Sequence, residues 1–329
     1  MSALTFQALR RLADGRFHSG EEMARSLNRS RATLSEALKR APEMGIELFS
    51  IPGKGYRVAE PIDFLDAAAI ARALEARAPR VHLEVVDEIE STSTRLLEMA
   101  SAGAPSGTCL AAEWQSSGRG RRGRAWVSRL GGSLTFSLLW RFDRGAGHLG
   151  GLSLAVGEAV ARALSICGAR RVQVKWPNDV VVDLRKLAGI LVETSGEMQG
   201  PSVAVIGVGV NYRLSERVLD RIDKPVSDVW QSVETPPPRS DVLVEMLVAL
   251  CASLDAFDRD GFAASRDAWR SLHAYQGRRV RVSAGREAPF DAEVVDVAPD
   301  GALLVKAADG RLLPLASAEI TLRGKTVPG

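Results

Sequence analysis

The first sixty residues alternate short amphipathic runs with polar breaks. Residues 4–13 repeat apolar side chains at helical spacing, and SGEE at residues 19–22 is typical of a capped helix start. Residues 31–41 carry apolar side chains on one face and basic or hydroxyl side chains on the other. Two apolar stretches then flank PGKG at residues 52–55, which predicts a hairpin. The segment therefore predicts three short helices followed by a β-hairpin.

This order of elements is that of a winged helix-turn-helix domain, whose recognition helix reads the major groove of DNA. Residues 1–60 hold ten Lys and Arg against seven Asp and Glu, which favours a polyanionic partner. The alternative is a helix bundle with a solvated polar face, and Glu36 favours it because a carboxylate repels phosphate. The candidate DNA-binding residues lie in the third helix, at its start and in the hairpin: Ser30, Arg31, Thr33, Ser35, Lys39, Arg40 and Lys54.

Strands and helices mix irregularly in the rest of the chain. The pattern predicts a linking helix over residues 62–78, a long amphipathic helix over roughly residues 150–167, and strands around them. The C-terminal part reads as five short strands separated by Gly and Asp turns, which predicts a small barrel. We expect a multidomain α+β protein with a mixed central sheet. The predicted domains are residues 1–62, 63–276 and 277–329.

Composition narrows the class of protein. The 329 residues are 46% hydrophobic and 25% charged, which is typical of globular proteins and excludes disorder. No apolar run approaches the ~20 residues of a membrane span, and Arg10 and Arg11 interrupt the place of an export signal. We therefore expect a cytoplasmic protein without a membrane partner. Three cysteines and four histidines are scattered along the chain, so neither a disulfide framework nor a structural zinc site is expected.

The most unusual string is GRGRRGR at residues 118–124, with three glycines and four arginines in seven positions. It contains GxGxxG, but the residues after it predict no helix whose N-terminus could hold a dinucleotide pyrophosphate. What remains is a glycine-rich loop that can bring Arg119, Arg121, Arg122 and Arg124 over an anion. A solvated basic loop is the alternative, and the position of four arginines in a hinge between two strands favours phosphate binding.

Three further motifs fall at strand ends. KWPND at residues 175–179 leaves an asparagine that can bond a nucleotide and an aspartate that can hold Mg²⁺, with a simple Asx turn as the alternative. KLAGIL at residues 186–191 puts one lysine into an apolar strand, where it either extends to solvent or points at a ligand. GVGVN at residues 207–211 places two glycines in a predicted strand, so two positions carry no side chain and a ligand can approach the backbone closely.

These strings together resemble a known family. EST at residues 90–92, AEWQSSGRGRRGRAW at residues 112–126, KWPND, RKLAGILVE and GVGVN follow an order and spacing similar to those of biotin protein ligases. With HSGE and IPGKGYRV, the chain resembles the bifunctional ligase–repressors from about residue 4 to about residue 324. The resemblance implies a winged helix-turn-helix, a central catalytic domain related to class II aminoacyl-tRNA synthetases and an SH3-like C-terminal β-barrel.

The resemblance also implies a reaction, which is that of an ATP-dependent, AMP-forming biotin–[biotin carboxyl carrier protein] ligase assisted by Mg²⁺. Biotin carboxylate attacks the α-phosphorus of ATP, which gives biotinyl-5′-AMP and pyrophosphate. A lysine of the biotin carboxyl carrier protein of acetyl-CoA carboxylase then takes the biotin and releases AMP. In addition, the resemblance implies that an adenylate-bound homodimer represses biotin biosynthesis genes at biotin operator DNA.

Site residues are assigned by matching motifs. Lys186 and Arg121 are the expected catalytic residues, because no Ser-His-Asp or Cys-His set is visible and cations can stabilise the charge on the α-phosphate. Asp179 is the expected Mg²⁺ ligand. The expected biotin-binding residues are Ser91, Thr92, Ser93, Gln115, Arg119, Gly120, Arg121, Lys186, Gly189 and Gly207. The expected ATP- or adenylate-binding residues are Gly118, Arg121, Arg124, Trp126, Asn178, Asn211 and Trp230.

Two other functions stay open at this point. A lipoate ligase shares the implied catalytic fold, but it would lack the winged helix and the GRGRRGR loop. A ligand-sensing winged-helix transcription factor without catalysis would not need KWPND and Lys186 together. The third helix departs from the more basic sequence of the repressors at Ser35 and Glu36, which concerns both operator choice and repressor activity.

Overall fold

The N-terminal segment forms the predicted helices and hairpin. The computed structural model describes residues 3–197, 200–220, 222, 224–283, 288–316 and 318–322. The first elements are α1 (Ala3–Arg11), α2 (Gly20–Ser26), α3 (Arg31–Leu38), a 3-10 turn (Ala41–Met44), β1 (Leu48–Ile51) and β2 (Gly55–Val58). Ser19 and Ser30 begin α2 and α3, since each hydroxyl accepts a hydrogen bond from a backbone N–H three residues on. β1 and β2 pair in antiparallel fashion, which confirms the predicted wing.

A mixed seven-stranded sheet forms the centre of the molecule. Its strands are β3 (His82–Ile89), β4 (Thr108–Gln115), β5 (Ser133–Phe142), β6 (Val172–Lys175), β7 (Asp179–Val182), β8 (Arg185–Gly196) and β9 (Ser202–Asn211). The strand order is β3-β4-β5-β9-β8-β7-β6, in which β3 and β4 are parallel and every other pair is antiparallel. The predicted mixed sheet is thereby confirmed.

Helices cover this sheet. They are α4 (Ala67–Arg77), α5 (Thr92–Ser101), α6 (Leu152–Ile166), α7 (Glu216–Leu219), α8 (Val229–Ser232), α9 (Arg239–Asp260) and α10 (Ala263–Leu272). The sequence predicts an amphipathic α6, but eleven of its fifteen residues are buried, because α9 and α10 pack on the side that faces away from the sheet. Within the described residues, none of the helices is both long and apolar enough to cross a bilayer.

Five strands follow α10, as predicted. They are β10 (Arg279–Ser283), β11 (Phe290–Val297), β12 (Leu303–Ala307), β13 (Leu312–Leu315) and β14 (Glu319–Leu322). They form one antiparallel sheet in the order β13-β12-β11-β10-β14, and β13 and β14 are its two edge strands. The apolar residues of its inner face join the same hydrophobic cluster as the central sheet.

A buried ion pair fixes the segment between the winged helix and the central sheet. Glu113 on β4 and Arg239 at the start of α9 have no exposed side-chain surface, and Arg239 Nη2 lies 2.5 Å from Glu113 Oε2. The other oxygen of Glu113 accepts a hydrogen bond from the N–H of Leu65 at 2.8 Å, and Asp63 accepts one from the N–H of Arg239 at 2.9 Å. Because an uncompensated buried charge costs ~3–5 kcal/mol, these groups hold the connecting segment in one position.

The winged helix also contacts the chain that leads into β5. Trp114 and Leu130 belong to the hydrophobic cluster of the winged helix. The N–H of Leu130 donates to the carbonyl of Met44 at 3.1 Å, and the guanidinium of Arg129 donates to Glu60 at 2.9 Å. The segment that follows the GRGRRGR string is therefore bonded directly to the winged helix, at Arg129 and Leu130.

His273, which follows α10, is a buried titratable group. Its ring stacks on Trp269 with 4.5 Å between the ring centroids. Burial lowers the pKa of its imidazole from 6.5 to about 4, because the charged form loses its hydration. The unfolded chain therefore takes up a proton at higher pH than the folded chain does. Below pH 6.5 this difference in proton uptake destabilises the fold.

We predict that His273 removes about 3 kcal/mol from the free energy of unfolding as the pH falls from 6.5 to about 4. Urea denaturation across this range should show the loss in the parent and in the exposed-site variant His82→Gln. The loss should be much smaller in His273→Phe, which keeps an aromatic ring against Trp269. An equal dependence on pH in His273→Phe and the parent would contradict the assignment.

Candidate active site

A small polar cluster lies where the N-terminus of α5 meets β4 and β5. Ser91 begins the helix, and the N–H and hydroxyl of Thr92 donate to Gln115 Oε1 at 2.8 and 3.1 Å. Ser137 Oγ lies 2.8 Å from the hydroxyl of Thr92 and 3.0 Å from that of Ser93. All five residues are buried. Such a cluster of amides and hydroxyls can recognise a polar ring through several hydrogen bonds at once.

Glycines of β8 and β9 form the wall opposite this cluster. Gly189 pairs with Gly209, and Leu191 pairs with Gly207, so the register brings three glycines to one place. A Cβ atom on Gly207 would lie 2.5 Å from Ser93 Oγ, and one on Gly189 would lie 2.7 Å from Lys186 Nζ. Any larger residue would fill the space, so these positions need glycine for close approach.

The GRGRRGR loop closes the cavity from above. The N–H of Trp126 donates to the carbonyl of Gly118 at 2.8 Å, and the N–H of Gly120 donates to the carbonyl of Arg124 at 2.8 Å. Arg119 forms an ion pair with Glu193 on β8, 2.6 Å away. Between these ties the loop contains one 3-10 turn, Arg121–Gly123. No helix follows the GxGxxG string, in agreement with the rejection of a dinucleotide-binding motif.

We call the space beneath the loop the narrow cavity; it is bounded by four residues of the polar cluster, the three glycines and Trp126, and the four are Ser91, Thr92, Ser93 and Gln115. Its volume is about 50 Å³, well below the ~300–1,000 Å³ of typical ligand sites. The indole of Trp126 lies directly against Gly209 and fills part of the space. A ligand of ordinary size can enter only when Trp126 and the loop move.

A wider cavity of about 510 Å³ continues from the narrow one. Gly120, Arg121, Trp126, Asn178 and Lys186 line both cavities and therefore mark the junction. Among the described residues, six cationic side chains line the wider cavity: Arg121, Arg122, Arg124, Lys175, Lys186 and Lys224. Two carboxylates oppose them in the lining, Asp179 and Glu319. This excess of positive charge fits a polyanion such as a nucleotide phosphate chain.

Two cations face the junction. Lys186 Nζ lies 2.7 Å from Asp179 Oδ1 and 5.6 Å from the ring centre of Trp126. Arg121 Nη1 donates to Asn178 Oδ1 at 3.0 Å, and burial is the main cause of a lowered pKa of its guanidinium. Positive groups held from two sides of one point can stabilise charge that develops on a ligand there.

Asn211 holds the backbone of Lys186 in place. Its side-chain amide donates to the carbonyl of Lys186 at 3.0 Å and to that of Ser227 at 3.1 Å. The N–H of Lys186 donates to the carbonyl of Pro225 at 2.9 Å. The sequence predicts that Asn211 faces a nucleotide, and it does line the wider cavity, but its amide bonds the chain itself.

All the ligand-binding and catalytic residues assigned from the sequence line one or both of these cavities, except Gly118 and Trp230. Trp230 lies outside the lining of both cavities and is 43% exposed, with the guanidinium of Arg213 4.1 Å from its ring centre. Gly118 also lies outside the lining and acts through its bond to Trp126. Sequence reasoning missed Lys224 and Glu319, which come from distant parts of the chain and carry no local motif.

The candidate DNA-binding residues form a separate surface. Ser30 is the N-cap of α3, and the side chains of Arg31, Thr33 and Lys54 are exposed on the helix and the wing. Ser35 is half-buried between them. Lys39 and Arg40 form ion pairs with Glu36 and Glu43, at 2.6 and 2.8 Å. Lys39 therefore partly offsets the charge of Glu36, but the same ion pair also occupies Lys39, a candidate contact to DNA.

Comparison with known proteins identifies the family. Residues 85–211 match the Biotin/lipoate A/B protein ligase family, and residues 5–57 match an HTH domain family. The chain is 36% identical to the bifunctional ligase/repressor BirA of Salmonella typhimurium and to that of Escherichia coli, over 95% of this chain and 95% of each relative. The chain belongs to the bifunctional biotin ligase/repressor family.

A solved relative of this ligase/repressor chain has the same catalytic fold. The biotin protein ligase from Aquifex aeolicus, in complex with biotin and ATP, is 27% identical with a TM-score of 0.61, and the match covers 74% of this chain and 98% of that one. The ligase from Paracoccus denitrificans is 33% identical over 71% of this chain and 98% of its own length. The family has the fold class that the sequence predicts.

We predict that Gly207→Ala weakens biotin binding by about 5- to 150-fold, because the added methyl group meets Ser93 Oγ and displaces a buried polar partner, at a cost on the order of 1–3 kcal/mol. Titration calorimetry with biotin measures the change. Gly157→Ala on α6 is the matched control, since the nearest atom to its Cβ, Ile190 Cδ1, is 3.6 Å away. Equal biotin affinities in the two variants would contradict the close approach.

Proposed function

We propose that biotin fills the narrow cavity and ATP the wider one, so that the biotin carboxylate meets the α-phosphate at the junction. The observation that carries this proposal is the continuity of the two cavities at Arg121 and Lys186. A biotin protein ligase needs such a meeting point, because its first step joins two bound substrates and gains its rate largely from positioning.

Biotin recognition falls to the polar cluster and the loop. Ser91, Thr92, Ser93 and Gln115 bind the ureido ring through amide and hydroxyl groups, and Gly189 and Gly207 leave room for it. Arg119, Gly120 and Arg121 close over the acyl chain. The ion pair of Arg119 with Glu193 supports this role, since it ties the loop to β8 at the cavity mouth.

Adenylate formation is an in-line displacement at the α-phosphorus. A carboxylate oxygen of biotin forms a bond to phosphorus, and the bond to the bridging oxygen breaks with its electron pair leaving on pyrophosphate. Lys186 and Arg121 stabilise the charge on the α-phosphoryl oxygens. In the second step, the amine of an acceptor lysine attacks the acyl carbon, loses a proton and displaces AMP. Neither step needs a nucleophile from this chain.

Several residues hold the nucleotide in this proposal. Arg124, Trp126 and Asn178 face the adenylate, Gly118 shapes the loop, and Asn211 positions Lys186. The assignment of Trp230 lacks support from its location and stays a prediction from the sequence.

Asp179 fits a Mg²⁺ ion that arrives with ATP, because Mg²⁺ on a phosphate chain takes one or two carboxylates and keeps several waters. Its carboxylate lines the wider cavity beside Lys186. The described residues contain no group of three His, Cys, Asp or Glu side chains suited to a metal, so a site built by the protein alone is not proposed. Bound Mg²⁺ would neutralise phosphate charge.

The acceptor in this proposal is the biotin carboxyl carrier protein of acetyl-CoA carboxylase, and the cytoplasm is the compartment where ATP and that protein meet. The helix-turn-helix makes the ligase a repressor as well. We propose that it binds biotin operator DNA as a homodimer formed with the adenylate, because one winged helix reads few base pairs. The division into residues 1–62, 63–276 and 277–329 remains part of this proposal.

Biotin-dependent exchange of labelled pyrophosphate into ATP tests the ligase directly. The parent protein should show exchange with biotin and none with lipoate. Exchange with lipoate alone would favour a lipoate ligase, and no exchange with either acid would favour a transcription factor without catalysis.

We predict that Lys186→Ala slows adenylate formation by about 100- to 1,000-fold, because the lost cation acts mainly as charge develops in the transition state. Biotin affinity should change by much less. Quench-flow detection of the adenylate and calorimetry with biotin separate the two effects. Lys306→Ala, at an exposed lysine on β12, is the control. If Lys186→Ala formed the adenylate as fast as the parent, Lys186 would have no catalytic role and would only extend from its strand to solvent.

We predict that the adenylate tightens binding to operator DNA and raises the dimer fraction. Palindromic sites should be enriched from random DNA in the presence of biotin and ATP only. Arg31→Ala should weaken binding and lower the slope of log affinity against log salt by about one, as expected for one lost phosphate contact. Arg72→Ala, an exposed arginine on α4, should do neither. Gel shifts and sedimentation on the same samples measure both effects, and an affinity unchanged by adenylate would contradict this regulation.

A further inference from the structure

Two lysines on the wall of the wider cavity differ from its other cations. Lys186 pairs with Asp179, Arg124 pairs with Glu319, and Arg121 bonds Asn178. Among the residues that the structure describes, neither Lys175 at the end of β6 nor Lys224 in the segment after α7 forms a direct ion pair with a carboxylate, and Asp179 acts on both only at longer range. Lys175 lies over the ring of Tyr275, with 5.4 Å from Nζ to the ring centre.

The surroundings of the two lysines are unfavourable for unpaired cations. Loss of hydration lowers the pKa of both ammonium groups, of which Lys175 is half-buried and Lys224 is exposed at the rim. For Lys224 the positive charges of Arg124 and Lys175 lower the pKa further, and Asp179 offsets only part of these effects. Such an arrangement stores repulsion that an anionic ligand relieves. The charge of that ligand must be high, because the described residues of the lining carry six cations against two carboxylates.

The geometry of an in-line displacement indicates which part of ATP lies next to these lysines. Arg121 and Lys186 line both cavities, whereas Lys175 and Lys224 line only the wider one. The biotin carboxylate enters from the narrow cavity, and in an in-line displacement the leaving group departs on the opposite side. The leaving group is therefore directed into the wider cavity, where the unpaired lysines lie.

We propose that Lys224, together with Lys175, binds the β- and γ-phosphates of ATP and the pyrophosphate that leaves. This inference rests on the proposed ligase function and adds a subsite for the leaving group. As the bond between the α-phosphorus and the bridging oxygen breaks, the electron pair and the new charge go to pyrophosphate. Two ammonium groups stabilise that charge and need to transfer no proton.

The two half-reactions separate this role from a structural one. Adenylate formation and its reversal by pyrophosphate involve the β- and γ-phosphates, whereas transfer from purified biotinyl-5′-AMP to a carrier domain does not. We expect Lys224→Gln to raise KM for ATP by about tenfold and to weaken pyrophosphate in the reverse reaction by a similar factor, as for loss of one charge-assisted hydrogen bond. Transfer from the adenylate should stay within about twofold of the parent.

Three further variants complete the test. Lys175→Gln should show the same split between half-reactions, Lys224→Arg should restore most of the pyrophosphate affinity, and Lys306→Gln on β12 should match the parent. Pyrophosphate affinity unchanged in both Lys224→Gln and Lys175→Gln overturns the inference, and so does an equal loss in the transfer reaction. Absence of exchange in the parent would instead refute the proposed ligase function.

Discussion

The pairing of β8 with β9 is the constraint on which the candidate site depends. This register sets Gly189 beside Gly209 and Gly207 beside Leu191, and it fixes which side chains face the cavities. A slip of one residue would turn every side chain of β8 to the other face of the sheet. The glycines would then no longer meet Ser93 and Trp126, and Lys186 would leave the junction. Asn211 adds a second restraint, because it ends β9 and bonds the backbone of Lys186 across the gap.

Charge is placed differently in the core and in the site. Glu113 and Arg239 are buried against each other and hold the connecting segment in place, so this ion pair has a purely structural role. The cations of the wider cavity are only partly compensated and stay available to a ligand. A protein tolerates such an excess only where the surrounding chain is fixed, since repulsion would otherwise separate the groups. The rigid sheet and the β14 strand, through the Arg124–Glu319 pair, supply that fixed surrounding.

Local motifs predicted the fold and most of the candidate site. Strand ends, glycine-rich turns and helix caps each depend on a few residues that are neighbours in the sequence. Ser19 could be identified as a helix cap from four neighbouring positions. Lys224 and Glu319 could not, because the sheet and the C-terminal strands bring them to the cavity from segments distant in sequence. The burial of α6 on both sides was missed for the same reason: its outer face is covered by helices that follow a long way along the chain. Trp230 is the opposite case: its residue type suits stacking on a ligand, but its ring lies outside the lining of both cavities, and its assignment stays a prediction.

The glycine-rich loop connects the two activities of this family in one stretch of chain. At one end Trp126 fills part of the narrow cavity, so a ligand of ordinary size has to displace the loop before it can bind there. A few residues later Arg129 and Leu130 are bonded to Glu60 and Met44 of the winged helix. The two ends cannot move independently, because fewer than a handful of residues separate them and Arg129 also donates to the carbonyl of Arg213 at 3.1 Å. The chain and these hydrogen bonds therefore form a direct physical connection between the loop and the helix-turn-helix, which is the route that any coupling between the two sites requires.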